Sequence, residues 1–335
     1  MQLLDMNEAR QQAAGEALPA WARRQGGALW LIDTAEGMDW LQTPEASGYL
    51  VAGAGGQLAA LRDAFKLAQQ AGHGAADAAV LASLAVRGRL PLLGLDEALP
   101  WVCEGTRFAP FAVADGIYGI VPDLARLEMA LSCGLRLVQL RAKRPLHPDE
   151  AAQAQALAVH YGAQLLINDD WRAVLASAQE GHGPGLHLGQ EDLVALPSAA
   201  LAALRAQGGR LLLGLSSHCP WELARAAGCG ASYIACGPVK PTTTKSMPWQ
   251  AQGLDNLAWW VAHAPAPVVA IGGLLTPQDV RWAASAGPAA VCVVRGLGES
   301  SEAMPRAIAA LQGALVKAPC SQAPVPDWPH PALPS

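Results

Sequence analysis

The sequence has few charged residues and little excess charge of either sign. Asp, Glu, Lys and Arg make up 15% of its 335 residues, and the formal net charge is −5 at pH 7. Proteins that bind nucleic acid usually present a basic surface, so this composition predicts no nucleic-acid partner. An anionic ligand must then be held by a local group of cations, and we expect small-molecule substrates.

Long apolar runs and paired cysteines are also absent. No uninterrupted apolar stretch reaches the ~18 residues that a membrane span needs, and the first twelve residues lack the apolar core of a secretory signal. The seven cysteines are never spaced as CxxC, which argues against a disulfide framework or a structural zinc site. The sequence therefore predicts a cytoplasmic protein without a membrane partner.

Apolar residues are abundant, at 52%, and from Gly116 onward they alternate with amphipathic segments. Eight short apolar runs predict strands, and most of the segments between them have the length and period of helices. The predicted strands are 116–121, 136–141, 164–168, 185–189, 210–216, 231–236, 267–272 and 289–294. Near-continuous apolar strands separated by helices predict a parallel sheet that is covered on both faces.

The positions of the polar residues favour a closed barrel over an open sheet. A doubly wound open sheet usually has one dominant glycine-rich turn after its first strand, and this sequence has none. Polar clusters instead follow many of the strands, as in a barrel that gathers its chemistry on one rim. We predict an α/β protein with a TIM (β/α)8 barrel at 116–316, a small, mainly helical N-terminal extension at 1–100, a linker at 101–115 and a proline-rich tail at 317–335.

The second predicted strand ends in an amide and two cations. Gln139, Arg141 and Lys143 occupy alternating positions, which would project on one side of an extended segment. The guanidinium of Arg141 offers a fixed fork of donors and the ammonium of Lys143 a mobile point charge, so together they suit an anionic oxygen. The alternative interpretation is a solvated strand end.

Two carboxylates follow the third and fourth predicted strands. Asp169 comes directly after Asn168, and Asp192 lies three residues after the glycine that ends the fourth strand. Mg²⁺ prefers one or two carboxylates together with phosphate oxygens and water, so Asp169 and Asp192 are candidate ligands. The alternative is that both residues cap helices. His187, on the fourth strand, is interpreted as a packed core residue rather than a base.

Hydroxyl groups follow the fifth and sixth predicted strands. Ser216 could donate to an anion, although capping of the next helix is the alternative. The loop 237–245 has the sequence GPVKPTTTK, with three consecutive threonines and a final lysine. These side chains offer hydrogen-bond donors to a phosphate without requiring a base. The alternative is a solvent-exposed loop that binds no ligand.

Glycines mark the ends of the last two predicted strands. Gly272 and Gly273 end the seventh strand, and Val294, Arg295 and Gly296 end the eighth. In barrels, backbone amides after these two strands commonly hold a phosphate, and glycine lets the main chain approach it closely. A tight turn from strand to helix is the alternative.

Taken in order, these segments resemble the thiamine-phosphate synthase (thiamine phosphate pyrophosphorylase) family over about residues 116–315. The motifs that carry the resemblance are QLRAK, NDDW, GLHLGQEDL, LGLSSH, GPVKPTTTK with MPWQAQGL, and AIGGL. The resemblance implies a transferase that joins 4-amino-5-hydroxymethyl-2-methylpyrimidine diphosphate to 4-methyl-5-(2-hydroxyethyl)thiazole phosphate. It also implies a dissociative reaction, in which diphosphate leaves before the thiazole nitrogen attacks and no general base is required.

The resemblance also assigns roles to individual residues. Residues implied to hold the pyrimidine diphosphate are Gln139, Arg141, Lys143, Asn168, Ser216 and Lys245. The four implied to be catalytic, since they stabilise the departing diphosphate, are Arg141, Lys143, Ser216 and Lys245. Residues implied to hold the thiazole phosphate are Thr242, Thr243, Thr244, Gly273, Val294 and Arg295. Asp169 and Asp192 are implied to hold Mg²⁺.

Three positions depart from the family pattern. Ala142 stands where the family usually has an acidic residue, Lys240 replaces a common aromatic or aliphatic residue, and Arg295 occupies the usual position of a serine. Two alternatives therefore stay open beside the synthase. One is a thiazole tautomerase, which would not need the diphosphate and metal residues, and the other is a non-catalytic thiazole- or thiamine-phosphate binding protein.

The N-terminal region has a weaker resemblance of its own. Residues 38–86 resemble the C-terminal end of hydroxymethylpyrimidine phosphate kinases of the ribokinase type. Those kinases have a GTGC-like turn with a functional cysteine, whereas this chain has Gly53, Ala54, Gly55 and Gly56. We therefore expect a degenerate remnant that packs on the barrel or mediates assembly into a homo-oligomer.

Overall fold

The computed structural model describes residues 1–113, 116–177, 183–242, 248–316 and 323–333. The chain forms two compact units. Unit 1 comprises Met1–Thr106, Cys219–Gly230 and His330–Ser335, and unit 2 comprises Arg107–His218 and Ala231–Pro329. Three of the predicted site residues, Thr243, Thr244 and Lys245, lie outside the described residues. No helix in the described part of the chain is both long and apolar enough to cross a membrane.

Unit 1 contains a five-stranded sheet in addition to helices. Its strands are β1 (Gln2–Asp5), β2 (Leu29–Ile32), β3 (Met38–Gln42), β4 (Ser47–Val51) and β5 (Leu92–Leu93). They pair in chain order, β1 with β2 in parallel and the others antiparallel. The helices are α1 (Met6–Ala13), α2 (Leu18–Gln25), α3 (Leu58–Gln70) and α4 (Ala75–Arg87). The alanine-rich sequence predicts the helical pair α3 and α4, whereas it does not predict the sheet.

A buried ion pair fixes the centre of unit 1. Arg87, at the end of α4, donates to both carboxylate oxygens of Asp39 on β3, over 2.8 and 3.0 Å. Trp30 on β2 donates its indole N–H to the same carboxylate over 3.0 Å. Both charged side chains are at most 1% exposed, so each charge depends on its partners for compensation.

Unit 2 contains a closed barrel of eight parallel strands, which confirms the predicted fold class. The strands are β6 (Ile117–Val121), β7 (Leu137–Leu140), β8 (Gln164–Asn168), β9 (Gly185–Leu188), β10 (Leu213–Ser217), β11 (Tyr233–Cys236), β12 (Val268–Ala270) and β13 (Ala290–Val293). Each strand pairs in parallel with the next, and β13 pairs with β6 to close the ring. Each strand lies within two to three residues of its predicted bounds.

Helices follow the strands of the barrel. They are α5 (Leu124–Ser132), α6 (Pro148–His160), α7 (Trp171–Ser177), α8 (Gln190–Val194), α9 (Ser198–Gln207), α11 (Gly253–His263), α12 (Pro277–Ala284) and α13 (Ala303–Val316). Several begin at a side-chain cap: Asp123 accepts from Arg126 N–H over 2.8 Å, and Thr276 accepts from Asp279 N–H over 3.1 Å. Such caps satisfy backbone donors that the helix itself cannot pair.

The barrel interior is filled with side chains from alternate strand positions. The buried cluster consists of Tyr118, Ile120, Leu137, Leu166, Tyr233, Ala235, Val269, Ala290 and Cys292. Phe111 and Val113, from the segment before the first strand, pack against the same cluster, and the Phe111 ring lies 4.6 Å from that of Tyr233. Burial of each large apolar side chain contributes roughly 1.5–3 kcal/mol, so the interior is a packed core.

The helix that follows β10 in the chain belongs to unit 1. This helix, α10 (Pro220–Gly228), has no cap from its own N-cap residue, Cys219. Asp77 of α4 supplies the acceptor instead, because its carboxylate accepts from the Trp221 N–H over 3.0 Å. Burial raises the pKa of Asp77 to about 7, despite hydrogen bonds from Trp221 and Cys219 that lower it. Residues 323–333 of the proline-rich tail contain neither helix nor strand.

Candidate active site

The parallel register places the carboxyl ends of the eight strands on one rim of the barrel. Asn168 lies beside His187, Leu188 beside Leu215, and the sequence continues from each of these strand ends into a polar segment. The predicted site residues that the structure describes lie on these strand ends or in the loops that follow them. The rim is therefore where side chains from different strands can meet.

The end of β7 contributes one buried and two more exposed residues. Gln139 is 1% exposed and its side chain donates to the hydroxyl of Tyr118 over 2.8 Å. Arg141 is half-buried, and its backbone N–H bonds to the Val121 carbonyl over 2.8 Å, which continues the ladder one residue beyond the strand. Lys143 is exposed and has a φ of 57°, a left-handed conformation that is uncommon outside glycine.

Asp170 caps the helix after β8. Its two carboxylate oxygens accept from the backbone N–H groups of Leu146, over 2.8 Å, and Ala173, over 3.1 Å. Asp169 is held differently: its φ is 64°, and the side-chain amide of Asn168 donates to its carboxylate. Non-glycine residues in this region of φ often occupy functional sites, and aspartate tolerates it better than most. The capping role that the sequence left open for Asp169 is thus filled by its neighbour Asp170, which the sequence did not single out.

Asp169 meets Asp192, which comes from the next loop. The two carboxylates share a hydrogen-bond contact, and Arg141 lies close enough for its charge to act on Asp169. Burial and the negative charge of Asp192 together raise the pKa of Asp169 to about 6, although the positive charge of Arg141 opposes both effects. Asp192 also accepts from the Gly189 N–H over 3.3 Å, so it closes the first turn of α8 from the third helical position, whereas the N-cap residue is Gly189.

This pair suits a hard divalent cation. Two carboxylates bring only oxygen donors, and a cation between them would relieve the repulsion that raises the pKa of Asp169. Among the residues that the structure describes, His, Cys, Asp and Glu form no group of three or more that could enclose a metal. A hard cation held by Asp169 and Asp192 would need further oxygen ligands to complete its coordination.

A line of buried hydrogen bonds connects Ser216 to the opposite side of the barrel. His187 bonds through Nε2 to Ser216 over 3.0 Å and through Nδ1 to the Tyr233 hydroxyl over 2.7 Å. The Tyr233 hydroxyl lies 2.9 Å from that of Tyr118. Ser216 thus contacts His187 instead of capping a helix, and His187 is buried, as expected. The sequence does not single out either tyrosine, because tyrosine in an apolar strand is typical of ordinary core.

The glycines after β12 are required by a close backbone approach. Val239 and Lys240 donate their N–H groups to the carbonyls of Ile271, over 2.8 Å, and Gly272, over 3.0 Å. A Cβ on Gly272 would lie 2.7 Å from Pro238, and one on Gly273 would lie 2.6 Å from Lys240. Both glycines also have positive φ, at 96° and 72°. The tight-turn interpretation thus accounts for them without a ligand.

The sequence of the barrel unit is similar to that of known proteins. A family model described as thiamine monophosphate synthase matches residues 113–297, which is more than half of the chain. The chain belongs to this family. The thiamine-phosphate synthase of Neisseria meningitidis serogroup A is 40% identical over 211 residues, covering 61% of this chain and 98% of that protein. The thiamine-phosphate synthase of Pectobacterium atrosepticum is 43% identical over 178 residues, covering 51% and 78%.

Among solved structures, the chain is similar to the thiamine phosphate pyrophosphorylase of Pyrococcus furiosus. The TM-score is 0.49 at 24% identity, and the match covers 60% of this chain and 97% of that one. The family resemblance given by the ordered motifs is confirmed by the family model and by the curated relatives.

Lys240, one of the departures from the thiamine monophosphate synthase pattern, is neutralised within the barrel unit. Its ammonium pairs with Asp279 and lies 4.8 Å from the centre of the Trp282 ring. Burial opposes ionisation of Asp279, but hydrogen bonds from Lys240, Thr276 and backbone N–H groups outweigh it and lower the pKa of Asp279 to about 2. The extra positive charge is therefore paired at the start of α12.

The remaining predicted residues fall into groups. The structure brings together Arg141, Asn168, Asp169 and Asp192, and it links Gln139 to Ser216 through buried side chains. Lys143 and Arg295 are exposed, and among the described residues neither hydrogen-bonds to these groups. Val294 packs against the barrel core and Thr242 is half-buried. Ala142, the third departure from the family, is half-buried between Arg141 and Lys143.

Proposed function

We propose that this chain couples 4-amino-5-hydroxymethyl-2-methylpyrimidine diphosphate to 4-methyl-5-(2-hydroxyethyl)thiazole phosphate and releases diphosphate. The observation that carries the proposal is the contact of Asp169 with Asp192, within reach of the Arg141 charge, on one rim of a barrel of this family. The reaction creates a departing anion, and a paired carboxylate site beside a guanidinium suits a metal-bound diphosphate.

The pyrimidine diphosphate is held, in this proposal, by donors from several strand ends. Arg141 and Lys143 contact the diphosphate oxygens after β7, and Lys245 approaches from the loop after β11. Ser216 donates its hydroxyl from the end of β10, and the amides of Gln139 and Asn168 contact the pyrimidine end. The support is that Arg141, Asn168 and Ser216 all lie on the same rim, which permits one ligand to meet them together.

Asp169 and Asp192 are proposed to hold Mg²⁺. When bound, the ion supplies positive charge beside the diphosphate and fixes its orientation. The raised pKa of Asp169 supports this role, because the pair is electrostatically unfavourable until a cation or a proton occupies it. Arg141 then serves as a second, permanent positive charge that does not depend on the metal.

The reaction is proposed to be dissociative. The bond between the pyrimidine methylene carbon and the diphosphate oxygen breaks first, and the electron pair leaves with diphosphate. The thiazole nitrogen then forms the new carbon–nitrogen bond to the pyrimidine-stabilised cation. Arg141, Lys143, Lys245 and Ser216 act by stabilising charge on the leaving group, and none of them needs to remove a proton.

The thiazole phosphate is proposed to lie at the opposite part of the rim. The residues assigned to it are Thr242, Thr243, Thr244, Gly273, Val294 and Arg295. The support is the position of these residues after β11, β12 and β13, where barrel enzymes commonly hold a phosphate on backbone amides. At Arg295 an exposed guanidinium replaces the hydroxyl that is usual in the family, so this contact would be ionic.

The test is a coupled assay on the full chain. Both substrates are mixed with the protein and Mg²⁺, and thiamine phosphate and diphosphate are quantified by chromatography with mass detection. We expect equimolar products, none when either substrate is omitted, and none after chelation of the metal. Isomerisation of the thiazole phosphate carboxylate precursor without coupling would support the tautomerase instead. Tight binding without turnover would support the binding protein.

For residues 1–100 we propose a degenerate remnant of a ribokinase-type kinase. In support, the turn Gly53–Gly56 is occupied by the chain's own arginines. Arg87 donates to the Gly55 carbonyl over 3.2 Å, and Arg89 donates to the Ala52 carbonyl and contacts Gly53. These contacts tie the turn to side chains of the same chain, and the turn lacks the functional cysteine of those kinases. Phosphorylation of hydroxymethylpyrimidine phosphate by this chain with ATP would contradict the proposal.

A further inference from the structure

Five side chains form a continuous hydrogen-bonded line inside the barrel. It begins at Gln139 on β7, passes through Tyr118 on β6, Tyr233 on β11 and His187 on β9, and ends at Ser216 on β10. The four donor–acceptor distances, taken in this order, are 2.8, 2.9, 2.7 and 3.0 Å. We refer to these five residues as the relay.

The relay is enclosed, and packing holds its rings in place. Gln139 and Tyr118 are 1% exposed, Tyr233 is fully buried, and His187 is 5% exposed. The ring of Tyr118 meets that of Tyr233 edge to face, and the ring of His187 stacks on Tyr233 with an interplanar angle of 19°. Burial raises the pKa of both phenols, so both keep their protons at neutral pH.

The hydrogen bonds of such a line can all be donated from Gln139 toward Ser216 or all in the opposite direction. Each phenol has one proton to give, and a neutral imidazole donates from one nitrogen and accepts at the other. When one member reverses its role, every other member must reverse too, because two donors or two acceptors cannot face each other. The group at one end of the line therefore sets the orientation at the other end.

Gln139 sets that orientation. Its amide nitrogen faces the Tyr118 hydroxyl, and an amide nitrogen can only donate. The Tyr233 hydroxyl is the other hydrogen-bond partner that the structure gives Tyr118, so we orient Tyr118 to donate to Tyr233 and Tyr233 to donate to Nδ1 of His187. The imidazole consequently carries its proton on Nε2 and donates it to the oxygen of Ser216. The proton of Ser216 is directed away from His187.

The opposite orientation would give Ser216 a different chemistry. If an acceptor faced Tyr118, each donor would turn round and the Ser216 hydroxyl would donate to Nε2 of His187. That is the arrangement of a serine nucleophile activated by a histidine base. The hydrogen-bonded contact between Ser216 and His187 is the same in both cases, so only the other end of the relay distinguishes them.

We propose that Gln139, acting through Tyr118, Tyr233 and His187, fixes Ser216 as a hydrogen-bond donor that points toward an anionic oxygen of the substrate. Tyr118, Tyr233 and His187 are positioning residues, since they act on the ligand only through Ser216. The orientation itself follows from the contacts within the barrel. The statement that the acceptor is a substrate oxygen rests on the proposed synthase function.

The first test reads the orientation without any substrate. The full chain is labelled with ¹⁵N-histidine, and the ring nitrogens of His187 are assigned by their loss in a His187→Gln variant. We expect His187 to be protonated on Nε2 and to accept at Nδ1. Protonation on Nδ1 in the wild-type protein would overturn the inference, whatever the enzymatic activity of the protein.

A substitution at the far end tests whether the orientation is transmitted. Gln139→Glu places a carboxylate acceptor beside Tyr118 at nearly the same volume, and we expect the His187 proton to move from Nε2 to Nδ1. The matched control is Gln139→Glu combined with Tyr118→Phe, which interrupts the relay and should leave the proton on Nε2. A shift of equal size in both variants would mean that the introduced carboxylate acts through space, and the relay would be rejected.

The catalytic consequence is tested with Tyr118→Phe, which removes a single oxygen atom. In the wild-type background we expect kcat to fall by ~3- to 10-fold with KM changed less than about twofold, because one oriented donor is lost in the transition state. In a Ser216→Ala background, where the relay has no end group, Tyr118→Phe should cause no further loss. Equal losses in both backgrounds would contradict the proposal and indicate a general packing effect.

Melting temperatures of all variants accompany these rates, so that unfolding is not taken for a catalytic effect. The two readouts also separate this inference from the proposed function. Absence of synthase activity with the expected His187 proton would remove the proposed function and leave the relay intact. Normal synthase activity with the His187 proton on Nδ1 would support the proposed function and overturn the relay.

Discussion

Asp170 caps helix α7, and this contact leaves the adjacent Asp169 to face Asp192 across the rim. The two aspartates follow each other in the sequence, yet one stabilises a helix and the other is destabilised by a neighbouring negative charge. A carboxylate whose pKa is raised to about 6 lowers the free energy of unfolding when it ionises, unless a bound ligand compensates its charge. The division of tasks is the strongest sign that Asp169 belongs to a binding site.

Removal of the Asp192 charge should stabilise the metal-free protein and weaken its response to Mg²⁺. In Asp192→Asn the repulsion on Asp169 disappears, so we expect the melting temperature in chelator to rise by ~1–3 °C. Adding Mg²⁺ and diphosphate should then raise the melting temperature less than in wild type, because one ligand is missing. Differential scanning calorimetry with and without the metal measures both effects.

Glu191→Gln is the matched control, since Glu191 is an exposed carboxylate on the same helix turn. It should change neither the melting temperature in chelator nor the response to Mg²⁺. An undiminished response in Asp192→Asn would show that Asp192 does not bind the metal.

Loss of the Arg141 guanidinium should impair the release of diphosphate. We expect Arg141→Ala to lower kcat by ~10²-fold or more, because a charge directed at the leaving group acts mainly in the transition state. The same result is expected for Lys245→Ala.

Arg144→Ala is the control for this prediction. Arg144 is an exposed arginine three residues from Arg141 that pairs with Glu150, and its loss should change kcat by less than about twofold. Steady-state rates of thiamine phosphate formation would decide, and rates like those of wild type in both Arg141→Ala and Lys245→Ala would refute the leaving-group role.

Lys240 should matter for the stability of the barrel and not for the thiazole phosphate. Its ammonium is paired with Asp279, so we expect Lys240→Met to change the KM for thiazole phosphate by less than about twofold. Asp279→Ala should lower the free energy of unfolding by ~1–2 kcal/mol, because Asp279 accepts from both Leu275 and Thr276 at the start of α12. Urea denaturation measures the second effect, with the exposed Asp255→Ala on α11 as control. A KM that rises tenfold in Lys240→Met would place the ammonium at the substrate.

Asp77 should make unfolding depend on pH between about 4 and 7. Its pKa is near 4 in the unfolded chain and about 7 in the folded one, so over this range the folded state holds the extra proton. Stability conferred by that proton is complete below about pH 4 and declines as the pH rises toward 7. Asp77→Asn keeps an acceptor for Trp221 but cannot ionise. We therefore expect the variant to gain on the order of 2–4 kcal/mol relative to wild type between pH 4 and pH 8.

Urea denaturation curves at several pH values check this expectation. Asp63→Asn, which alters an exposed carboxylate on α3, should leave the pH dependence unchanged. Parallel pH profiles for wild type and Asp77→Asn would show that Asp77 ionises normally in the folded protein.

The barrel could be predicted from the sequence because its strands carry a local signal. Apolar runs such as 165–167 and 233–236 are bounded by polar or glycine residues, so their positions follow from short windows. The sheet of unit 1 lacked that signal. Its outer strands pair across long stretches of chain, β1 with β2 through Leu4 and Leu31 and β4 with β5 through Leu50 and Leu93, and such pairing is not a property of either segment alone.

The position of the candidate site could be predicted from the sequence, but the role of each residue in it could not. Polar residues at the ends of parallel strands must meet on one rim, so the candidates could be named from their spacing. Strand spacing alone does not distinguish Asp169 from Asp170; the family resemblance singles out Asp169, and the sequence does not show that the Asp170 carboxylate reaches Leu146. The roles of Tyr118 and Tyr233 depend on a register across three different strands, and the sequence shows them only as large residues in apolar runs.

Helix α10 limits how this protein can be divided. It follows β10 in the chain, but it belongs to unit 1, where Asp77 receives its Trp221 N–H and Leu93 lies against Gly228. A gene fragment that begins at Arg107 would encode α10 without Asp77 and Leu93. A fragment that ends at Thr106 would encode these two residues without α10. A recombination event with one breakpoint would pair α10 with a foreign α4. The N-terminal region and this single helix are therefore expected to change together in evolution.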